Sequence, residues 1–117
     1  MRRYCFALDL VNDAALMAEY RRWHEQVWPG ILESIHASGI EHMQIYQAGN
    51  RLFMIMEVND AFSFEKKALA DAASQEVQEW EKLMWRFQQA LPFAQPGEKW
   101  VLMEKIFETN RPAQGGQ

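Results

Sequence analysis

The stretch "IEHMQIYQAGNRLFMIMEV", from Ile40 to Val58, sets the tightest limit on the fold. Two runs rich in β-branched, aromatic and long apolar side chains flank a Gly49-Asn50 pair. Glycine at such a place lets the chain reverse within two residues, so the segment predicts a β-hairpin. A hairpin in the middle of a chain leaves the fold to be decided by what lies on either side.

Both sides read alike. "YCFALDLV" (Tyr4–Val11) places Tyr4, Phe6, Leu8 and Leu10 on one face of a strand. Asn12 and Asp13 are helix N-cap candidates, and a helical stripe of Leu16, Tyr20, Trp23 and Val27 follows. Pro29 disfavours helical geometry at Trp28 and opens a second helix, Pro29–Ser38, which Gly39 ends. After the hairpin, Ser63 begins a helix to about Ala72. Ser74–Ala90 forms another, with Val77, Trp80, Met84 and Phe87 at helical spacing. "PFAQPGEK" is a loop and "WVLMEKIF" (Trp100–Phe107) a last strand. The order is β-α-β-β-α-β, an α+β arrangement of ferredoxin-like type with helices over one face of an antiparallel sheet. Leu52, Met54, Met56 and Val58 alternate with Phe53 and Ile55, so the sheet is apolar on both sides and its second face calls for a partner: a homodimer. The 117 residues make one domain, residues 1–110, followed by a polar tail, 111–117, expected to be mobile.

Charge and cysteine content narrow the function. The net charge of −4 argues against nucleic acid and anionic membranes as partners, since both need clustered Lys and Arg. No run of about 18 apolar residues exists to span a membrane. Asp9 interrupts the apolar run behind the two N-terminal arginines and no small-residue cleavage site follows, so a cytoplasmic protein is expected rather than a secreted one. Cys5 is the single cysteine; an intramolecular disulfide is excluded, and a buried, inert thiol is expected. His24, His36 and His42 lack metal-ligand spacing, and there is no phosphate loop, nucleophile elbow or dinucleotide fingerprint. Acid–base chemistry without metal or cofactor, or simple binding of a neutral ligand, remains.

"EYRRWHEQVWP" (Glu19–Pro29) is the stretch that fits acid–base work. His24 follows Tyr20 by four residues and shares its helix face. Imidazole exchanges protons near neutral pH, a phenol beside it can orient a hydroxyl, and Trp28 offers a face for a sugar ring. By pattern alone the same residues also describe a hydrogen-bonded core histidine among core aromatics. In "EWEK", Glu79 and Glu81 flank Trp80 and can accept hydrogen bonds from ligand hydroxyls, or can be plain solvated helix surface. Trp85, like Trp80, is an aromatic at helical spacing and also reads as core filling, while Glu57 and Glu104 could support a site but carry no specific spacing.

Taken together, "EYRRWHEQVWPGI", the hairpin and "EWEKLM" resemble the L-rhamnose mutarotase family, over about Tyr4 to Phe107. The most specific element is Tyr-x-x-x-His-x-x-x-Trp-Pro, here Tyr20, His24, Trp28 and Pro29. The resemblance implies a small ferredoxin-like domain forming a dimeric α/β barrel that interconverts α and β anomers of 6-deoxy-hexoses without cofactor or metal. It implies His24 as proton donor and Tyr20, with Trp28 and Trp80, as sugar-binding residues. Two positions depart from the rhamnose pattern: Met43 stands where a tyrosine is expected, and Trp80-Glu81 replaces a Trp-Trp pair. Met43 and Glu81 would thus alter contacts to hydroxyls, which turns the expected sugar from L-rhamnose toward L-fucose. The rivals are a non-catalytic sugar-binding module and a small ferredoxin-like monooxygenase.

Overall fold

The computed structural model describes residues 1–112. The elements run β1 (Arg2–Leu10), α1 (Ala14–Trp23), α2 (Pro29–Ala37), β2 (Ile40–Ala48), β3 (Arg51–Val58), α3 (Phe64–Ala73), α4 (Gln75–Trp85), β4 (Gln88–Gln89) and β5 (Val101–Leu102). The sheet is antiparallel, in the order β2-β3-β1-β4, and β5 pairs with β1 further along the edge that β4 occupies. This is the ferredoxin-like arrangement, with a helix pair in each crossover.

Local chemistry fixes the element ends. Asp13 caps α1 by accepting a hydrogen bond from the Leu16 amide, and Ser63 and Ser74 cap α3 and α4 by accepting from Lys66 and Val77. Pro29 occupies the first turn of α2, where its missing donor has no partner to lose. Gly49 turns the hairpin with φ 59°, the left-handed value a two-residue turn needs at its first position. Gly39, at φ 100°, joins α2 to β2. A Cβ there would lie 2.7 Å from Oδ1 of Asn59, so both conformation and space demand glycine.

Register sorts the two sheet faces. Phe6 lies opposite Met54 and Leu8 opposite Leu52, and all four side chains are buried beneath the helices. The intervening residues Cys5, Ala7, Phe53 and Ile55 turn to the other face and are only half-buried. Helices α1, α2 and α4, which carry the buried helical residues, all pack on the first face. Cys5 is therefore half-buried, not enclosed as expected, because nothing in the described chain covers its side of the sheet. Asp9, which broke the apolar run, is buried and bound by Nε and one NH2 of Arg51, its cross-strand partner, at 2.8 and 3.2 Å.

Under the helices lie two apolar clusters. One joins Leu10, Tyr20, Leu52, Trp80, Met84 and Phe87 beneath α1, α2 and α4. The other joins Phe6, Ile40, Met54, Met56, Val58 and Phe62 at the opposite end of the sheet. Trp100 and Ile35 touch both.

Two further expectations are corrected. The helix expected to reach Ala90 stops at Trp85, where tight bonds from Arg86 and Phe87 back to Leu83 and Met84 close its last turn. Gln88 and Gln89 then pair with Leu10 and Asp9. The free edge of β1 has backbone groups to satisfy, and a two-residue strand meets that need better than another helical turn. The strand expected over Trp100–Phe107 is paired only at Val101–Leu102, with one further bond from the Met103 amide to Cys5 O. Beyond it Ile106 and Phe107 are 93% and 78% exposed. Of the tail expected to be mobile, residues 113–117 lie outside the described residues.

Candidate active site

Helix α1 delivers Tyr20 and His24 to one place. Tyr20 faces inward, 4% exposed, while His24 is the residue on which the helix ends, still near helical geometry at φ −84° and ψ −6°. The two rings lie 4.5 Å apart between centroids. His24 Nδ1 is 2.9 Å from the Tyr20 carbonyl oxygen. A carbonyl can only accept, so Nδ1 carries the hydrogen and donates it. This fixes the tautomer of the neutral ring and assigns the exchangeable lone pair to Nε2.

Behind this pair stands a group of indoles centred on Trp80, which is itself 7% exposed. His24 meets Trp80 edge-on at 5.9 Å, Trp28 meets it at 5.0 Å and Trp23 at 6.5 Å. Such edge-to-face contacts are worth about 0.5–1.5 kcal/mol each beyond the area they bury. They make a stiff wall, so the imidazole is held from two sides, by a hydrogen bond and by packing.

In front of the pair opens a cleft of about 560 Å³, within the size range of small-ligand sites. Tyr20, Arg21, His24 and Glu25 form one wall, and Ile45, Tyr46 and Gln47 of β2 the other, above Leu52. The hydroxyl of Tyr20 accepts a hydrogen bond from Nε2 of Gln88 at 3.3 Å. Burial pushes the phenol up to about 12; the Gln88 bond works the other way, and the charge of Glu81 adds to the rise. Tyr20 is therefore a neutral hydroxyl across the physiological range. Among the described residues, Oε1 of Gln88 is the buried side-chain polar atom with no hydrogen-bond partner, a condition that typically costs about 1–3 kcal/mol.

The other residues singled out in the sequence fall elsewhere. Met43 lies opposite Met56 and packs against the second apolar cluster, away from His24. Trp28 and Trp80 back the cleft rather than line it. Glu81 is bound by Lys99, which also sits over the Trp85 ring, and both line a separate surface groove with Asp71, Gln78 and Lys82. Its charge nevertheless reaches Tyr20, so it borders the site electrostatically. Glu57 pairs with Arg3 at 3.7 Å on the open sheet face, and Glu79 and Glu104 are exposed. Glu25, Gln47 and Gln88 escaped the sequence reading. Glu25 adjoins His24 but does not share its helix face, and it enters the cleft only because the helix ends there.

Among the described residues no group of three or more His, Cys, Asp or Glu is arranged to hold a metal ion, and no helix is long and apolar enough to cross a membrane. The arrangement offers one oriented imidazole, the phenols of Tyr20 and Tyr46, the charged groups of Arg21 and Glu25 and the amide of Gln47 around an open cleft. That set can bind hydroxyls and move a proton.

Comparison with known proteins gives this arrangement a family. The family model described as L-rhamnose mutarotase matches residues 3–109. An L-fucose mutarotase of Xanthomonas campestris pv. campestris is 47% identical over 109 residues, covering 92% of this chain and 87% of that protein. An L-rhamnose mutarotase of Bacillus subtilis is 33% identical over 52 residues, 43% of this chain and 50% of its own length. Among solved structures, an L-rhamnose mutarotase from Formosa agariphila superposes with a TM-score of 0.69 at 20% identity, over 94% of this chain and all of that one. The tetracenomycin F2 cyclase of Streptomyces glaucescens superposes with a TM-score of 0.57 at 19% identity, over 96% of this chain and 100% of that one, a likeness of fold alone. With the family model spanning nearly the whole chain, this protein belongs to the L-rhamnose mutarotase family.

Proposed function

We propose that this protein is a mutarotase that exchanges the α and β anomers of a 6-deoxy-L-hexose, with L-fucose preferred over L-rhamnose and His24 as the proton-transfer residue. The observation that carries the reading is the bond from His24 Nδ1 to the Tyr20 carbonyl, which dedicates Nε2 to the cleft chemistry. Anomer exchange needs a proton delivered to the ring oxygen and another taken from the anomeric hydroxyl as the C1–O5 bond breaks. Rotation about C1–C2 and closure then reverse these transfers. An imidazole can serve one transfer in each direction, and solvent, to which the cleft is open, serves the other. Tyr20 binds a sugar oxygen, Trp80 holds the imidazole edge-on, and Trp28 braces Trp80. Glu81 biases the hydroxyl contacts through its charge at Tyr20 and Met43 through the packing of β2. The 47% identical relative described as an L-fucose mutarotase supports fucose as first choice.

The sugar assignment is checked by saturation-transfer NMR on equilibrated L-fucose and L-rhamnose. Faster anomer exchange on fucose is expected. The reverse order would reassign the sugar, binding without any exchange would favour the sugar-binding module, and a coloured purified protein would favour the monooxygenase.

A homodimer in the cytoplasm completes the reading. Its support is the half-buried apolar set Cys5, Ala7, Phe53 and Ile55 on the bare sheet face, together with exposed Ile106 and Phe107 beyond β5. Both surfaces belong to the same chain, so a second copy can cover each with the other. Sedimentation equilibrium should give twice the chain mass at micromolar concentration, and a monomer there would contradict the reading.

A further inference from the structure

Gln88 is the polar side chain that the proposed reaction leaves unexplained. It lies on β4 opposite Leu10 and is 6% exposed. One end of its amide reaches Tyr20 Oη, from 68 residues away in the chain, and the other end finds no partner. A leucine or methionine there would remove that unpaired oxygen but would also strip the buried Tyr20 hydroxyl of its donor, so the amide serves the phenol rather than core filling.

The direction of the hydrogen bond carries the argument. An amide N–H can only donate, so Tyr20 Oη is the acceptor, and the single phenol proton is left for another oxygen. We infer that Gln88 is a positioning residue that commits the Tyr20 phenol to act as a hydrogen-bond donor to a sugar oxygen. The inference rests on the mutarotase reading above and deepens it. A phenol committed as donor favours a substrate oxygen that presents a lone pair over one that presents its proton. The pair Gln88–Tyr20 thereby contributes to choice among hydroxyl arrangements, while His24 moves the proton.

The test uses the full chain and saturation-transfer NMR on L-fucose and L-rhamnose. Gln88→Leu should lower kcat/KM for exchange about ten-fold, the range expected for one lost hydrogen bond, while its thermal midpoint changes little, because losing the donor to Tyr20 offsets removal of the unpaired oxygen. Gln88→Glu, assayed at a pH where the side chain is ionised, keeps an acceptor but no donor, so the phenol spends its proton on the carboxylate, and exchange should fall equally. The double variant Tyr20→Phe/Gln88→Leu should be no slower than Tyr20→Phe alone. Should Gln88→Leu not fold, Gln88→Met carries the same comparison. Wild-type kinetics in Gln88→Leu, full activity in Gln88→Glu, or additive losses in the double variant would overturn the inference. One readout is independent of sugar: tyrosinate absorbance should show Tyr20 titrating at still higher pH in Gln88→Leu, because the bond that favours ionisation is gone. An unmoved titration overturns the hydrogen bond itself. A moved titration in a protein silent on every deoxy-hexose defeats the mutarotase reading, and with it the sugar half of this proposal.

Discussion

The two apolar clusters beneath the helices are built to different rules. The buried members of the one around Phe6, Ile40, Met54, Met56, Val58 and Phe62 are apolar throughout, with the half-buried Tyr4 at its border. The one around Leu10, Trp80 and Phe87 admits a phenol, borders a half-buried imidazole and tolerates an amide with an unsatisfied oxygen. A chain selected for stability alone would make both clusters like the first, because each unpaired buried polar atom is destabilising. The polar end is where the cleft opens. On the proposed reading, the contrast separates a region that holds the fold from a region where stability is given up for chemistry.

The separation can be broken by experiment. Phe62 is 3% exposed in the apolar cluster, so Phe62→Ala should destabilise the protein by about 3–5 kcal/mol in urea titration. Anomer exchange by the remaining folded protein should be unaltered; a loss of exchange below the denaturation range would show that the two ends are coupled.

At the polar end, the expected effect is smaller and depends on pH. Tyr20 ionises near 10 in the unfolded chain and near 12 in the folded one. Between these values the unfolded state sheds its proton first, so the stability present below pH about 10 is lost as pH rises toward about 12. Two pH units of difference correspond to roughly 2–3 kcal/mol at most. Melting the wild-type and Tyr20→Phe proteins across this range checks it, since Tyr20→Phe should lack that part of the alkaline decline. Equal declines would place the phenol in a more solvated setting.

Much of the contrast was legible before any coordinates. The hairpin announced itself through Gly49-Asn50, and the caps Asp13, Ser63 and Ser74 mark their helix starts. The Tyr20–His24 contact follows from a four-residue helical spacing, which is local information. Gln88 was not legible. In sequence it continues a helical stripe, and only the unpaired edge of β1 converts it to a strand and carries its amide to Tyr20. Met43 shows the opposite limit. The strand was readable, yet which cluster its side chain joins depends on register with Met56, which alternation alone does not set. The end of β5 was overread for a similar reason: Trp100–Phe107 has strand composition, but pairing ends at Leu102 within this chain.

The account rests on His24, and one variant tests it most directly. His24→Asn keeps a polar side chain of similar reach at the end of α1 but cannot take up a proton near pH 7. Saturation-transfer NMR on equilibrated L-fucose should show exchange slowed by roughly 10²-fold or more, with the thermal midpoint little changed, since the ring stands at a half-buried helix end rather than in the sealed core. A folded His24→Asn protein that exchanges anomers at the wild-type rate would contradict the assignment and return His24 to the role of a hydrogen-bonded core histidine.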